Sequence, residues 1–216
     1  AMTLDGRIAT ASGESRWITG EAARRIVHDL RYEYDALLVG VHTVLLDDPA
    51  LDTRGRRQKP VTKVILDSEL RTPEHARVFA SPGVVVVFHA GGASADRVIA
   101  LSPRATLIPL VRGPAGLDWD CVLRALGKRG ITSVIIEGGG EVAASALKAG
   151  AVQKTAFFYA PKILGAEGVP GIGRLEIADL SDVIRLEGLS FRRLGGDLLV
   201  EGYPKGSLPP VVQSRV

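Results

Sequence analysis

The sequence predicts an α/β fold: a mixed, mostly parallel sheet flanked by helices, with an antiparallel hairpin at the C-terminal end. Three observations predict it. Five short runs, residues 36–41, 62–66, 84–88, 133–136 and 155–159, are apolar throughout or nearly so and rich in β-branched residues, as strands covered on both faces must be. Several are separated by stretches with helical spacing of apolar residues, and that alternation belongs to helices layered on a sheet. Beyond Tyr159 the character changes to a Pro- and Gly-rich loop over 161–173. Two further apolar runs, 183–186 and 198–201, then flank Arg192-Arg193-Leu194-Gly195-Gly196-Asp197. Gly-Gly-Asp supplies the positive φ of a tight hairpin turn, which makes the sheet mixed.

In chain order, Thr19 opens a first helix with Ala22, Ala23, Ile26, Val27 and Leu30 on one face. No helix is expected between the runs at 36–41 and 62–66. A short helix over 91–101 starts near Ser94. Another covers 118–129, with Val122, Leu123 and Leu126 inward and Gly130 as its left-handed stop, and a third covers 140–149, stopped by Gly150. Residues 1–203 read as one domain and 204–216, which include Pro209-Pro210, as a tail.

Composition narrows the function. Of 216 residues, 46% are apolar and 24% charged, which suits a globular chain with a sizeable core. Lys and Arg number 27 against 24 Asp and Glu, and a surplus of +3 with only 5% aromatics is a poor basis for a nucleic-acid surface. Cys121 alone makes neither an internal disulfide nor a Cys-rich zinc site, and on its helix it reads as a packing residue. No apolar run approaches the ~18–20 residues of a membrane span, so no membrane is expected and the chain reads as soluble and cytoplasmic. The nucleophile elbow, the Walker lysine and the zinc-deaminase signature are missing, which removes the common hydrolase, P-loop and deaminase readings. His28, His42, His75 and His89 are scattered and read as surface or packed residues.

Three segments carry candidate chemistry. Glu137-Gly138-Gly139-Gly140-Glu141 lies between a strand and a helix of small residues, where glycines let a backbone approach a phosphate and the helix N-terminus attracts it; the alternative is a tight turn with nothing bound. Glu137 itself, an acid at the end of a buried strand, is expensive to hold without a ligand, a cation or hydrogen-bond donors. Ser15 and Trp17, in the polar loop 12–19, offer a hydroxyl and a flat apolar wall, or equally a turn former and a core edge. Asp47-Asp48-Pro49 precedes Arg54, Arg56, Arg57 and Lys59: acids beside a basic cluster that suits a phosphate, or a solvated loop. No metal is expected there.

Five blocks then appear in one order: Leu4-Asp5-Gly6-Arg7-Ile8-Ala9; the segment from Ser12 to Thr19; Gly40-Val41-His42-Thr43 continuing to Leu51; Glu137-Gly138-Gly139-Gly140; and Ala160-Pro161-Lys162-Ile163-Leu164-Gly165. Together they resemble the reductase domain of bacterial riboflavin biosynthesis protein RibD, over roughly residues 1–203. The resemblance implies a dihydrofolate-reductase-like fold and NADPH-dependent reduction of 5-amino-6-(5-phosphoribosylamino)uracil to the ribityl product. It implies Ser15, Arg31, Leu51, Arg54 and Glu137 at the phosphoribosyl substrate. Ala1, Trp17, Thr43, Asp47, Ser68 and the turn of Gly139, Gly140, Glu141, Val142, Ala143, Ala144 and Ser145 fall to NADPH. It further implies a homodimer. The family's first-strand lysine would fall just before Ala1 and its upstream zinc deaminase half is missing from this sequence, so the chain is either a piece of a bifunctional protein or a reductase that departs from the pattern. On this reading the ribosylamine opens to an imine whose C1′ receives the hydride, while Glu137 holds the sugar or relays a proton. The non-deaminated diaminopyrimidinone is the alternative substrate, although the block from Ser12 to Thr19 is closer to the bacterial pattern. A nucleotide-binding remnant competes with the reductase reading, as does a dihydrofolate reductase, which is disfavoured because Arg31 and Arg54 suit a phosphate rather than a pterin.

Overall fold

A computed structural model describes residues 1–53, 60–113 and 116–207. Its elements are β1 (Met2–Thr3), β2 (Arg7–Ala9), α1 (Glu21–Glu33), β3 (Ala36–Gly40), α2 (Val41–Asp47), β4 (Thr62–Leu66), α3 (Arg77–Ala80), β5 (Val85–Ala90), α4 (Ala95–Leu101), β6 (Thr106–Leu110), β7 (Arg112–Gly113), β8 (Gly116–Leu117), α5 (Trp119–Gly127), β9 (Val134–Ile136), α6 (Gly140–Lys148), β10 (Thr155–Ala160), β11 (Val169–Pro170), a 3₁₀ turn (Leu180–Asp182), β12 (Leu186–Leu194) and β13 (Asp197–Pro204). The chain divides into two compact units, Val27–Val142 and the remainder. Among the described residues, no helix is long and apolar enough to cross a membrane.

The unit Val27–Val142 holds a five-stranded parallel sheet in the order β6-β5-β4-β3-β9. Every residue of β3 is buried, as its run of Ala-Leu-Leu-Val-Gly requires of a strand with neighbours on both sides. Leu37, Val39, Ile65 and Val87 from the strands join Val44, Val78 and Leu101 from the helices in one core. Strands β3 to β6 step outward in one direction, and β9 then returns to the other side of β3. The order therefore reverses between β3 and β9, the kind of place where an open α/β sheet leaves a crevice at its carboxyl edge. The outer strand β6 is not anticipated from sequence. It contains Pro109, which an edge tolerates because one side of the strand has no ladder to complete.

The other unit carries a four-stranded sheet, β1-β10-β13-β12, in which β1 runs parallel to β10 while β10, β13 and β12 are antiparallel. A small β2–β11 pair accompanies it. The mixed sheet and the C-terminal hairpin agree with expectation, but the hairpin's extent does not. Strand β12 begins at Leu186 rather than at 183 and continues through Arg192, Arg193 and Leu194; only Gly195, at φ +66°, and Gly196 make the turn. The strand is an edge with most of its residues exposed, so burial imposes no apolar pattern that would mark its length.

Two further expectations are corrected. Helix α2 lies where none was expected and takes Val41 from the predicted strand. Gly40 ends β3 in extended conformation, and Val41 and Val44, three residues apart, bury one face of a turn too short to show periodicity in sequence. On α5 the inward residues are Trp119, Val122 and Leu126; Leu123 and Cys121 are exposed. The Cys121 thiol is no packing residue. Partial desolvation and then Asp118 push its pKa up, away from a reactive thiolate.

Candidate functional site

At the carboxyl edge of β3 and β9, within the unit Val27–Val142, lie Glu137 and the glycine turn that follows it. Glu137 directly follows β9, with its N–H bonded to Leu38 O on β3 at 2.8 Å. Arg31, in the last turn of α1, meets it from 106 residues away. Arg31 Nε donates to the two oxygens of Glu137 at 2.8 and 3.0 Å, and Nη2 donates to Oε2 as well. The two side chains are only 17% and 16% exposed. The cation that the buried acid requires is therefore Arg31. Burial works against the guanidinium's charge, but the hydrogen bond and charge of Glu137, with Asp52, outweigh it and hold the Arg31 pKa above its ordinary value. Arg31 Nη1 also donates to Asp52 O at 3.1 Å, so one N–H on each Nη atom remains available to a ligand among the described residues.

The glycines beside Glu137 are set by contact. A Cβ on Gly138 would lie 2.9 Å from Val142 Cβ, and one on Gly40 would lie 2.6 Å from Val142 Cγ2, so the turn and the end of β3 close on the first turn of α6 only without side chains. Gly139 differs: a Cβ there would meet nothing nearer than Thr43 Oγ1, at 4.0 Å. Its backbone thus faces open space beside a hydroxyl and the start of a helix, a setting that fits a cofactor phosphate. Leu51 immediately precedes Asp52, the carbonyl partner of Arg31. It is 3% exposed and holds φ +48°, a left-handed conformation that a Cβ disfavours.

The remaining expected residues distribute as follows. Glu141 sits in the exposed part of the first turn of α6, and Val142 packs on Gly40 and Gly138. Asp47 ends α2, and Ser68, just beyond β4, accepts the Ala90 N–H at its carbonyl. Arg54 lies outside the described residues. Ala1, Ser15, Trp17, Ala143, Ala144 and Ser145 belong to the other unit. There Trp17 is 61% exposed, with the Arg24 guanidinium 4.6 Å from its ring centre and Lys162 Nζ bonded to its carbonyl at 2.8 Å. Trp17 and Lys162 line a cavity of about 500 Å³ with Pro161 and Gly195.

Sequence reasoning does not single out Asp52, Arg24 or Lys63. Asp52 acts through its carbonyl, which no sequence pattern reports. Lys63 leaves a signal: a lysine inside the otherwise apolar 62–66 run. It is fully buried in β4, and burial pulls its pKa down to about 8 against the charge of Asp52, which raises it.

A family model described as the RibD C-terminal domain matches residues 1–200. The chain belongs to the RibD C-terminal domain family. That is the family the five motif blocks resemble. This RibD C-terminal domain is 39% identical over 213 residues to the 2,5-diamino-6-ribosylamino-4(3H)-pyrimidinone 5′-phosphate reductase of Methanothermobacter thermautotrophicus, covering 95% of this chain and 96% of that protein. It is 34% identical to riboflavin biosynthesis protein RibD of Actinobacillus pleuropneumoniae over 204 residues, 93% of this chain and 54% of the relative. Among solved structures, Acinetobacter baumannii RibD matches with a TM-score of 0.80 at 27% identity, over 94% of this chain and 56% of that one. A Thermotoga maritima diaminohydroxyphosphoribosylaminopyrimidine deaminase/5-amino-6-(5-phosphoribosylamino)uracil reductase matches at 0.75 and 31%, over 94% and 54%. The chain spans about half the length of these RibD proteins. The architecture is that of the RibD and dihydrofolate-reductase-like reductases.

Proposed function

We propose that this domain reduces 5-amino-6-(5-phosphoribosylamino)uracil to its ribityl counterpart with NADPH. The observation that carries the reading is the Arg31–Glu137 pair at the sheet's reversal point, next to an open glycine turn. The Thermotoga maritima structure, described as a 5-amino-6-(5-phosphoribosylamino)uracil reductase, supports the deaminated substrate. A second reading, the 2,5-diaminopyrimidinone, is favoured by the 39% identity to the archaeal reductase. In both, the chemistry is the same at the sugar. The C1′–O4′ bond opens, O4′ takes up a proton and C1′ gains a hydride.

NADPH, when bound, supplies that hydride. The chain's own residues orient and dehydrate the sugar. Glu137, paired with Arg31, accepts hydrogen bonds from the sugar hydroxyls or relays a proton from solvent to O4′, while the remaining Arg31 N–H groups and Arg54 receive the phosphate end. Ser15 and Leu51 complete the substrate contacts. Ala1, Trp17, Thr43, Asp47, Ser68 and the turn from Gly139 to Ser145 hold the cofactor, its phosphates against the glycine turn. Holding the reacting carbon near the nicotinamide, away from water, is the protein's main contribution. We further propose that the protein is a homodimer.

The test follows absorbance at 340 nm with NADPH and each pyrimidine in parallel. Oxidation with the uracil alone is expected. Oxidation with the diaminopyrimidinone alone would establish the second reading, and NADPH binding without oxidation in either would mean a nucleotide-binding remnant.

A further inference from the structure

Lys63 heads the largest fully buried side chains among the described residues, and it sits inside a central strand of the parallel sheet. An aliphatic side chain would fill this place without the desolvation cost of an ammonium. What the ammonium adds is an anchor with three donors. Nζ donates to Val78 O and to Ser81 O, each at 2.7 Å, and also to Ser81 Oγ. The Ser81 hydroxyl, accepting from Lys63, donates onward to Ala50 O at 2.6 Å. Hydrogen bonds aligned this way polarise one another, so the charge strengthens the contact to Ala50.

Ala50 begins the turn on which the candidate site depends. Leu51 follows it in the left-handed region, and a buried non-glycine residue keeps that conformation only where its surroundings dictate it. Asp52 comes next and presents its carbonyl to Arg31, the partner of Glu137. A second tie enters from the same direction: Asp48 Oδ1 accepts the Arg77 N–H at 2.8 Å. The short helix α3 is thus fastened to the 48–52 segment at its start by Asp48, and after its end by Lys63 and Ser81.

We propose that Lys63, acting through Ser81, is a positioning residue that holds the 50–52 turn in place, and with it the Arg31–Glu137 pair that receives the phosphoribosyl pyrimidine. The ligand in this statement rests on the function proposed above.

The primary variant is Ser81→Ala, which removes the relay and leaves Lys63 two carbonyl acceptors; Ser81→Thr restores the hydroxyl. Expected for Ser81→Ala is a fall of about fivefold or more in kcat/KM for the pyrimidine, with KM for NADPH within about twofold and most of the loss recovered in Ser81→Thr. Amide exchange at Leu51 to Thr53 is expected to quicken by about tenfold, with exchange in β9 unchanged. Lys63→Met, where it folds, moves the same quantities in the same direction. Wild-type kcat/KM in Ser81→Ala would overturn the proposal, as would equal changes in both KM values without rescue by threonine. If the wild-type protein reduces neither pyrimidine, the proposed function fails and exchange alone decides: acceleration confined to 51–53 upholds the positioning role, and unchanged exchange removes it.

Discussion

The two ends of the β3–β9 pair each place a carboxylate, and they are built to opposite purposes. At the amino end Asp35 Oδ2 accepts the Thr132 and Ser133 N–H groups and both of their hydroxyls, tying the start of β9 to the start of β3. At the carboxyl end Glu137 is met by a guanidinium that keeps further donors, beside a turn stripped of side chains. The first arrangement is closed by the segment that leads into β9 and fixes register. The second is held by a helix residue from far along the chain and leaves a face for a ligand. The difference teaches that in this parallel sheet the acid at the amino end is closed in by its own neighbours, while the one at the carboxyl edge, near the strand-order reversal, is the one on which the proposed function draws.

Exchanging the carboxyl-end acid breaks that comparison most directly. Glu137→Gln keeps the shape but leaves the Arg31 charge without its partner. A loss of about 100-fold in kcat/KM for the pyrimidine is expected, read at 340 nm with folding checked by circular dichroism. Near-wild-type turnover would remove Glu137 from the reaction.

Closing the glycine turn is expected to act on both stability and function. Gly138→Ala drives a methyl to within 2.9 Å of Val142, and such overpacking costs about 1–3 kcal/mol in thermal or urea unfolding. Val142→Ala in the same chain should return part of it, because the clash is with that side chain.

At the amino end, Asp35→Asn should leave both KM values unchanged and alter only acid stability. Hydrogen bonds from the Thr132 side chain and backbone, then Ser133, hold the Asp35 pKa down to about 2 from the ordinary 3.8. With the folded pKa depressed, the stabilisation is complete above about pH 4 and disappears as pH falls toward 2. Acid unfolding followed by circular dichroism should therefore flatten between about pH 4 and 2 in the variant. Asp5, lowered to about 2 chiefly by Thr3 and then by Gly165, sets a second such slope that remains. A shift in KM would mean that the two ends communicate.

The smallest effect is expected at Thr43, whose hydroxyl neighbours Gly139. Thr43→Val should raise KM for NADPH about threefold and leave KM for the pyrimidine unchanged, in initial-rate measurements.

Much of this is legible in sequence. The buried parallel strands announce themselves because burial on both faces leaves almost no polar position, as in 36–40 and, Lys63 apart, in 62–66. The glycine turn is visible in part because close approach to Val142 leaves Gly138 no room for a side chain, and Glu137 because an acid ending an apolar run needs a reason. The five motif blocks point to the family. Where burial is partial the pattern fades. The edge strand β12, the short helix α2 and the exposed Leu123 and Cys121 on α5 escape a sequence reading for that reason.

By itself, then, the sequence determined the fold class, the family and the acid at the end of β9, since each is written in local chemistry or in ordered motifs. Only the tertiary structure decided that Arg31 is the partner of that acid, that the Asp52 carbonyl braces it, and that Lys63 reaches the same turn through Ser81. The two Arg31 contacts span 106 and 21 residues, and the bracing bonds end on carbonyls that every residue possesses. A one-dimensional pattern has no way to mark them. Chain folding brings them together, and the desolvated carboxyl edge of the sheet makes them strong.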